Sequence, residues 1–507
     1  MRTILAGTLM LAATMAQAQP VGPAETATLA ALARIEARNP QVNAVLAITP
    51  DIAAQARAMD RQRMARGPLF GLPILIKDNI DVKGMPTTAG SLALKDNLSG
   101  RDAPLVARLR AAGAVIPGTT NLSEWANFRG DHSISGWSGL GGQVRNPHAL
   151  GRTPCGSSSG SGAAVAAGMV DAAIGTETDG SVVCPASING IVGFKPTVGL
   201  VSRTHVVPIS SSQDTAGPMT RDVRLAARLL RALAGTDPAD PATTQADARR
   251  TDYEAGLRPD APRGVRIAVL RSATGWLKPV DALFETALGV LEAQGAVLVD
   301  VQAPEGRTAM GAAEYTVLLT ELKAGLNAYL ASTPAAVQVR SLTQAIAFNE
   351  ANAAREMALF GQDDFTKAEA TKGLTDPEYL KARTESLRLA GPDGIDAMLK
   401  SANAVALVAP TTSPAWMIDA AFGDQSPGRG SPTGYAAVAG YPHLTVPMGA
   451  VQGLPVGLSF VGAKWDDARM LALGFAYEAA AGIKLTPSFR ASVEADPAIA
   501  PLLAPPR

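Results

Sequence analysis

The sequence predicts one large α/β core that carries a mostly helical insertion or cap between about residues 305 and 400. Three observations predict it. GVRIAVL, FETALGVLEAQG and AVLVD (264–300) run strand, helix, strand. Short apolar runs bounded by Gly or Pro recur at 74–76, 405–410, 444–449 and 456–462, the mark of buried strands. Between them, 305–400 is rich in charge and lacks strand alternation. With 507 residues the chain exceeds one small domain.

Taken in order, MRTILAGTLMLAATMAQAQP joins one basic residue, an apolar run and the small-x-small pattern Ala16-Gln17-Ala18. Residues 1–18 read as a secretory signal peptide, with export to a periplasmic or extracellular space; the competing reading is an N-terminal helix of the domain. Residues 19–70 read as two helices broken near Asn39-Pro40. GLPILIKDNI reads as a short buried strand ending in Lys77, Asp78 and Asn79. Next come a helix with Leu105 and Leu109 on one face and Gly113 as its C-cap, a short strand, and a helix capped by Asn121 or Ser123.

A Gly/Ser-rich passage from Phe128 to Ser161 shows little periodicity, and the small-sided run AAVAAGMVDAAIG reads as a buried, closely packed helix. RDVRLAARLLRAL reads as amphipathic helix, and DPADPATTQADARRTD as surface loop. The last helix is expected from about Asp467 to Ala479.

Composition removes several function classes. Lysine plus arginine and aspartate plus glutamate number 45 each, which leaves no field to gather a nucleic-acid backbone. The first apolar run is short for a membrane span, and no later one comes near the roughly 18–20 residues such a span needs. Cys155 and Cys184 make no disulfide framework, although one bond between them stays open. The four histidines lack metal-binding spacing, so no metal or cofactor is expected.

Three elements are conspicuous: Lys77 after the strand ILI, the cluster Ser157-Ser158-Ser159, and Ser181 in TETDGSVVCPAS. Singly they read as a solvated cation, a flexible loop and a turn serine. Together they suit serine chemistry without histidine. A hydroxyl needs a base to become a nucleophile, and a buried lysine that has lost its charge can be that base.

GLPILIKDN, CGSSSGSG and TETDGSVVCPASINGIVGFKPTVGLVSR, in that order, resemble the amidase signature family, and within it the peptide-amidase branch. The resemblance runs from about residue 25 to the C-terminus and is densest from Gly71 to Thr220. It implies a large mixed twisted sheet with helices on both sides, a single domain over 19–507 and a catalytic core at 71–220. It implies a triad of Ser181 as nucleophile, Ser157 as bridging serine after a cis peptide bond, and Lys77 as base. It further implies an oxyanion hole of the N–H groups of Thr178, Asp179, Gly180 and Ser181. The substrate would be a small amide or amidated peptide, with fatty, aryl or aliphatic amides or esters as alternatives.

Many members carry Gly-Gly before the nucleophile where this chain has Asp179-Gly180, a form that the peptide-amidase branch shares. An outward Asp179 side chain is compatible with an oxyanion hole built from backbone. The amidotransferase component that amidates mischarged transfer RNA has the same catalytic set, but the expected leader argues against that work, and no obligate partner subunit is expected.

The expected supporting shell is Asp78 and Asn79 beside the base, Ser133, Ser138 or Ser158 near the pocket, and an Arg203–Asp214 pair fixing its wall. Trp137, Trp416 and Tyr435 are candidate aromatic liners, Asn121 and Glu124 are architectural, and Cys184 is a packed small residue.

Overall fold

The computed structural model describes residues 21–62, 67–427 and 431–503, so the expected signal peptide lies outside the described residues. In chain order the strands are β1 (Val45–Ile48), β2 (Ile74–Lys77), β3 (Gly118–Thr120), β4 (Trp137–Ser138), β5 (Gly142–Gln143), β6 (Ala172–Glu177), β7 (Val192–Lys195), β8 (Thr215–Thr220), β9 (Arg266–Leu270), β10 (Val297–Val301), β11 (Ala406–Pro410), β12 (His443–Val451) and β13 (Leu454–Val461). Eleven of them form one sheet in the order β1-β3-β2-β6-β8-β7-β12-β13-β11-β9-β10, and β4 pairs with β5 alone. Parallel neighbours (β3–β2–β6 and β11–β9–β10) flank antiparallel ones, so the sheet is mixed.

Side chains alternate across a strand, and the packing follows that period. Ile74, Ile76 and Ile174 join a core with the helices Pro104–Ala111, Val223–Leu233, Lys278–Ala293 and Asp467–Ala481. Leu75 and Ala173 face the other way, onto the helices Pro23–Val42 and Ser159–Ala166. At the far end, Ile267 and Val269 belong to the first core, and Ala268 and Leu270 to a separate cluster with Tyr435 and Met310. Both sheet faces are thus covered. Within 305–400 the longest helices are Arg307–Ala331 and Pro377–Ala390; the first packs with Trp125, Val207 and Phe365 in a cluster of its own.

Three local expectations are corrected. The first helix runs through Pro40 to Val42 and stops at Asn43, which is left-handed (φ 56°). The four-residue strand β1 follows it. In AAVAAGMVDAAIG the helix ends at Ala166, and the second half is β6, buried at every position. Small residues carry no period that separates a buried strand from a buried helix. The expected helix at 124 is a single 3₁₀ turn in which Trp125 and Ala126 take left-handed conformations.

Candidate active site

Lys77 ends β2, and the parallel neighbour β6 brings Thr176 and Glu177 alongside it. Carboxyl ends of adjacent parallel strands are where open α/β sheets hold their ligands. Lys77 is fully buried; its ammonium donates to Ser157 Oγ at 2.7 Å, to Thr176 Oγ1 at 2.8 Å and to the Thr176 carbonyl at 3.4 Å. Burial lowers its pKa from 10.5 to about 7, while Asp214 and Glu177 pull the other way. A lysine poised there is half neutral near neutral pH and able to take a proton.

Ser157 follows a cis peptide bond from Gly156. A side chain at Gly156 would put its Cβ 2.1 Å from Ser123 Oγ, so only glycine fits. Ser158 N–H donates to the Ser181 carbonyl at 3.2 Å, tying the two serine segments together. Ser181 is 8% exposed, and its hydroxyl makes no hydrogen bond to the described residues. Its turn depends on Gly180, held at φ +80° with Thr433 3.1 Å from where a Cβ would sit. Among the described residues, the N–H groups of Thr178, Asp179 and Ser181 donate to no protein acceptor, and that of Gly180 lies against the Glu177 carboxylate.

Glu177 is not singled out by the sequence, although it stands inside the same motif. Its Oε2 accepts the N–H groups of Val182 (2.8 Å) and Val183 (3.0 Å), fixing the chain just after Ser181. Burial raises its pKa; Lys195 and the N–H donors oppose that rise. Thr176 likewise escapes sequence reasoning, being one threonine among many. Its Oγ1 meets both Lys77 and the Asn79 amide, 3.0 Å away, so Asn79 acts on the base through Thr176.

The remaining expectations divide. Asp78 accepts the hydroxyl and N–H of Thr88 and makes no bond to Lys77; burial pushes its carboxyl up to about 7. Ser158 Oγ donates to the Thr176 carbonyl at 3.0 Å and accepts its N–H at 3.1 Å, bracing β6 and not facing the base. Ser138 is fully buried and bonds Asn121 Oδ1 at 2.8 Å, so it is architectural. Ser133 uses its carbonyl to hold the Asp424 N–H at 3.0 Å.

Arg203 and Asp214 do not pair by hydrogen bond. Arg203 forks onto Asp240, while Asp214 accepts from Thr178 Oγ1 (2.6 Å) and from the N–H groups of Ile209 and Ser210. Both do line one small cavity with Asn79, Thr176 and Thr178. Trp137 packs edge-on to Phe360, and Trp416 and Tyr435 are buried in core clusters; none needs a liner role. Glu124 forms a fully buried ion pair with Arg129 at 2.8 Å. Cys184 is more than a packed residue: it is disulfide-bonded to Cys155, with Cα atoms 6.1 Å apart.

Asp179 is exposed, but its carboxylate lies beside Gly434 and among the charges of Glu177, Arg307, Lys195 and Glu314. Lost hydration and Glu177 push it up to about 6, with Arg307 and Lys195 opposing. Glu314, buried and held by Gln213 at 2.8 Å, is pushed up to about 8 by lost hydration and by Asp179.

The model of the family described as Amidase matches residues 26–471. The chain belongs to the amidase signature family. Its structure is similar to the peptide amidase of Stenotrophomonas maltophilia at 50% identity and TM-score 0.87, covering 92% of this chain and 95% of that one. It is also similar to an amidase family protein of Bacillus anthracis at 34% identity and TM-score 0.83, covering 92% and 89%. In sequence it is 36% identical over 474 residues to a probable amidase of Arabidopsis thaliana, covering 90% of this chain and 87% of the relative. This amidase therefore has the expected fold, a large mixed sheet with helices around it, and hydrolyses amides. No helix among the described residues is long and apolar enough to cross a membrane, and none of their His, Cys, Asp and Glu side chains cluster as a metal site.

Proposed function

We propose that this amidase removes the C-terminal carboxamide of peptides, releasing ammonia through an acyl-enzyme on Ser181. The observation that carries the chemistry is the 2.7 Å contact between buried Lys77 and Ser157 Oγ. Neutral Lys77 takes the Ser157 proton as Ser157 takes that of Ser181, and Ser181 Oγ attacks the carbonyl carbon. The resulting oxyanion meets the unused N–H groups of Thr178, Asp179 and Ser181, with Gly180 completing the turn. Loss of one such donor costs about 3 kcal/mol in other hydrolases. Ser157 then returns a proton to the departing ammonia and is recharged from the Lys77 ammonium. Water, activated along the same path, hydrolyses the ester and frees Ser181.

The Ser157 and Ser181 hydroxyls are not yet bonded in the free protein, and such catalytic contacts commonly tighten only with substrate bound. The peptide reading rests on similarity to the peptide amidase over nearly the whole chain and on the Thr-Asp-Gly-Ser form by which the motif resembles the peptide-amidase branch. Export to an oxidising space fits the leader-like N-terminus and the Cys155–Cys184 bond.

Ammonia release from a panel of amidated peptides, fatty amides and aryl amides tests the reading. Amidated peptides are expected to be preferred, and Ser181→Ala to abolish turnover in a protein of unchanged circular dichroism. Turnover by that variant would overturn the nucleophile, and a preference for aryl or fatty amides would overturn the substrate.

A further inference from the structure

The disulfide joins the two segments that carry the serines. Cys155 stands two residues before Ser157, and Cys184 three residues after Ser181. The family chemistry makes no use of sulfur here, so the bond calls for its own account.

Backbone conformation supplies one. Cys155 is a non-glycine residue at φ +54°, in the left-handed region where a Cβ crowds the following carbonyl. Its N–H is anchored by Thr153 Oγ1 at 3.0 Å, and its side chain is tied to the helix Val183–Asn189 through Cys184. Without the tie, φ is free to return to the negative range that residues with a Cβ favour. The next two residues are Gly156 and Ser157, so such a rotation works against the Ser123 contact on the Ser157 carbonyl and shifts the Ser157 hydroxyl relative to Lys77 and Ser181.

Other contacts keep the two segments near each other when the sulfur bond is absent. Asn189 donates to the Pro154 carbonyl at 2.8 Å, and Asn146 bridges the Thr153 and Ile188 carbonyls at 3.1 and 3.2 Å. Around the bond, Ala149, Ile188, Ala415, Trp416, Leu454 and Val493 form an apolar cluster. After Gly156 the chain is held by the Ser123 N–H on the Ser157 carbonyl (3.1 Å) and the Ser158 N–H on the Ser181 carbonyl (3.2 Å), and at Cys155 itself by the Thr153 contact and the disulfide.

We propose that the Cys155–Cys184 bond is a positioning device for the Ser157–Ser181 pair, so that this amidase turns over substrate fully only when the two thiols are oxidised. The inference rests on the roles proposed above for those serines. Oxidation is a dithiol–disulfide exchange: two protein thiols reduce one small disulfide, such as oxidised glutathione, to two thiols. Dithiothreitol reverses it and leaves as its cyclic disulfide.

Three proteins test it: the wild type, Cys155→Ala/Cys184→Ala and Cys155→Gly/Cys184→Ala. Glycine accepts a positive φ without strain, so the second variant lacks the bond but not the conformation. The alanine variant is expected to lose about tenfold to a hundredfold in kcat with KM within twofold, the range a displacement of about 1 Å produces. The glycine variant is expected to recover at least fivefold of that loss. Wild type reduced with dithiothreitol, its two thiols counted by Ellman titration, should match the alanine variant and regain its rate on reoxidation.

An alanine variant within twofold of wild-type kcat overturns the proposal, as does a glycine variant no better than alanine. The rate at which a fluorophosphonate labels Ser181 reads the same geometry without an amide substrate. If oxidised wild type releases no ammonia from any amide, the functional reading has failed; if it does and the variants match it, only the positioning inference has.

Discussion

Lys77 and Ser157 meet at 2.7 Å although eighty residues separate them, and burial makes the lysine a base. Because its pKa falls to about 7 in the folded protein, kcat/KM should drop on the acid side with an apparent pKa near 7. A pH–rate profile for ammonia release checks this, and a limb far above pH 8 would exclude a buried neutral lysine.

The same shift links activity to stability. The unfolded chain binds a proton at Lys77 up to about its ordinary 10.5, the folded chain only below about 7. Between those values the unfolded state holds more protons, so this group's contribution to stability rises with pH. Lys77→Met should therefore abolish turnover while its Tm, relative to wild type, is most favourable at or below pH 7. The difference should shift towards wild type as pH climbs to 10. Thermal melts across that range measure it.

Thr176→Val removes the oxygen that receives both Lys77 and Asn79. Removing an acceptor of the ammonium disfavours the charged form, so the acid limb should move to lower pH. The loss of aim at Ser157 should cut kcat about tenfold, with KM little changed. Steady-state kinetics at several pH values separate the two effects.

Asp179 and Glu314 face each other electrostatically with pKa values of about 6 and 8. Negative charge near Ser181 therefore grows from pH 6 to 9. Amidated substrates carrying a cation close to the acyl group should gain in kcat/KM over neutral analogues across that interval. Glu314→Gln should flatten the gain at its upper end. Paired lysine and norleucine peptide amides provide the comparison.

Arg129 is buried with Glu124 at 2.8 Å and also donates to the Glu356 and Gly361 carbonyls. Arg129→Met leaves a buried carboxylate without its cation, so a loss of about 3–5 kcal/mol is expected. Urea unfolding should show it, with Glu124→Gln the milder of the two.

Much of this is legible in the chain because strand ends and motif glycines are local features. The run ILI followed by lysine places β2 and its base, and Gly180 marks the tight turn before Ser181. What escapes is set by partners far away. Arg203 meets Asp240 and not Asp214, and Ser138 meets Asn121, because folding chooses among several chemically equal mates. β6 reads as helix because Ala172, Ala173 and Gly175 have no periodic bulk. Glu177 goes unmarked because its role is to hold backbone N–H groups, which no side-chain pattern announces.

The groups around Lys77 come from residues 79–214: Asn79 just after β2, Ser157 just before the helix Ser159–Ala166, Thr176 and Glu177 on β6, and Asp214 just before β8. The groups that crowd Asp179 from outside that stretch arrive from elsewhere: Arg307 and Glu314 from one long helix, Gly434 from the short helix Thr433–Ala439. The base and the charges that set the protonation of Asp179 thus come from separate stretches of the chain. Substitutions on the long helix can change the charge beside Ser181 while every contact of Lys77 stays as it is.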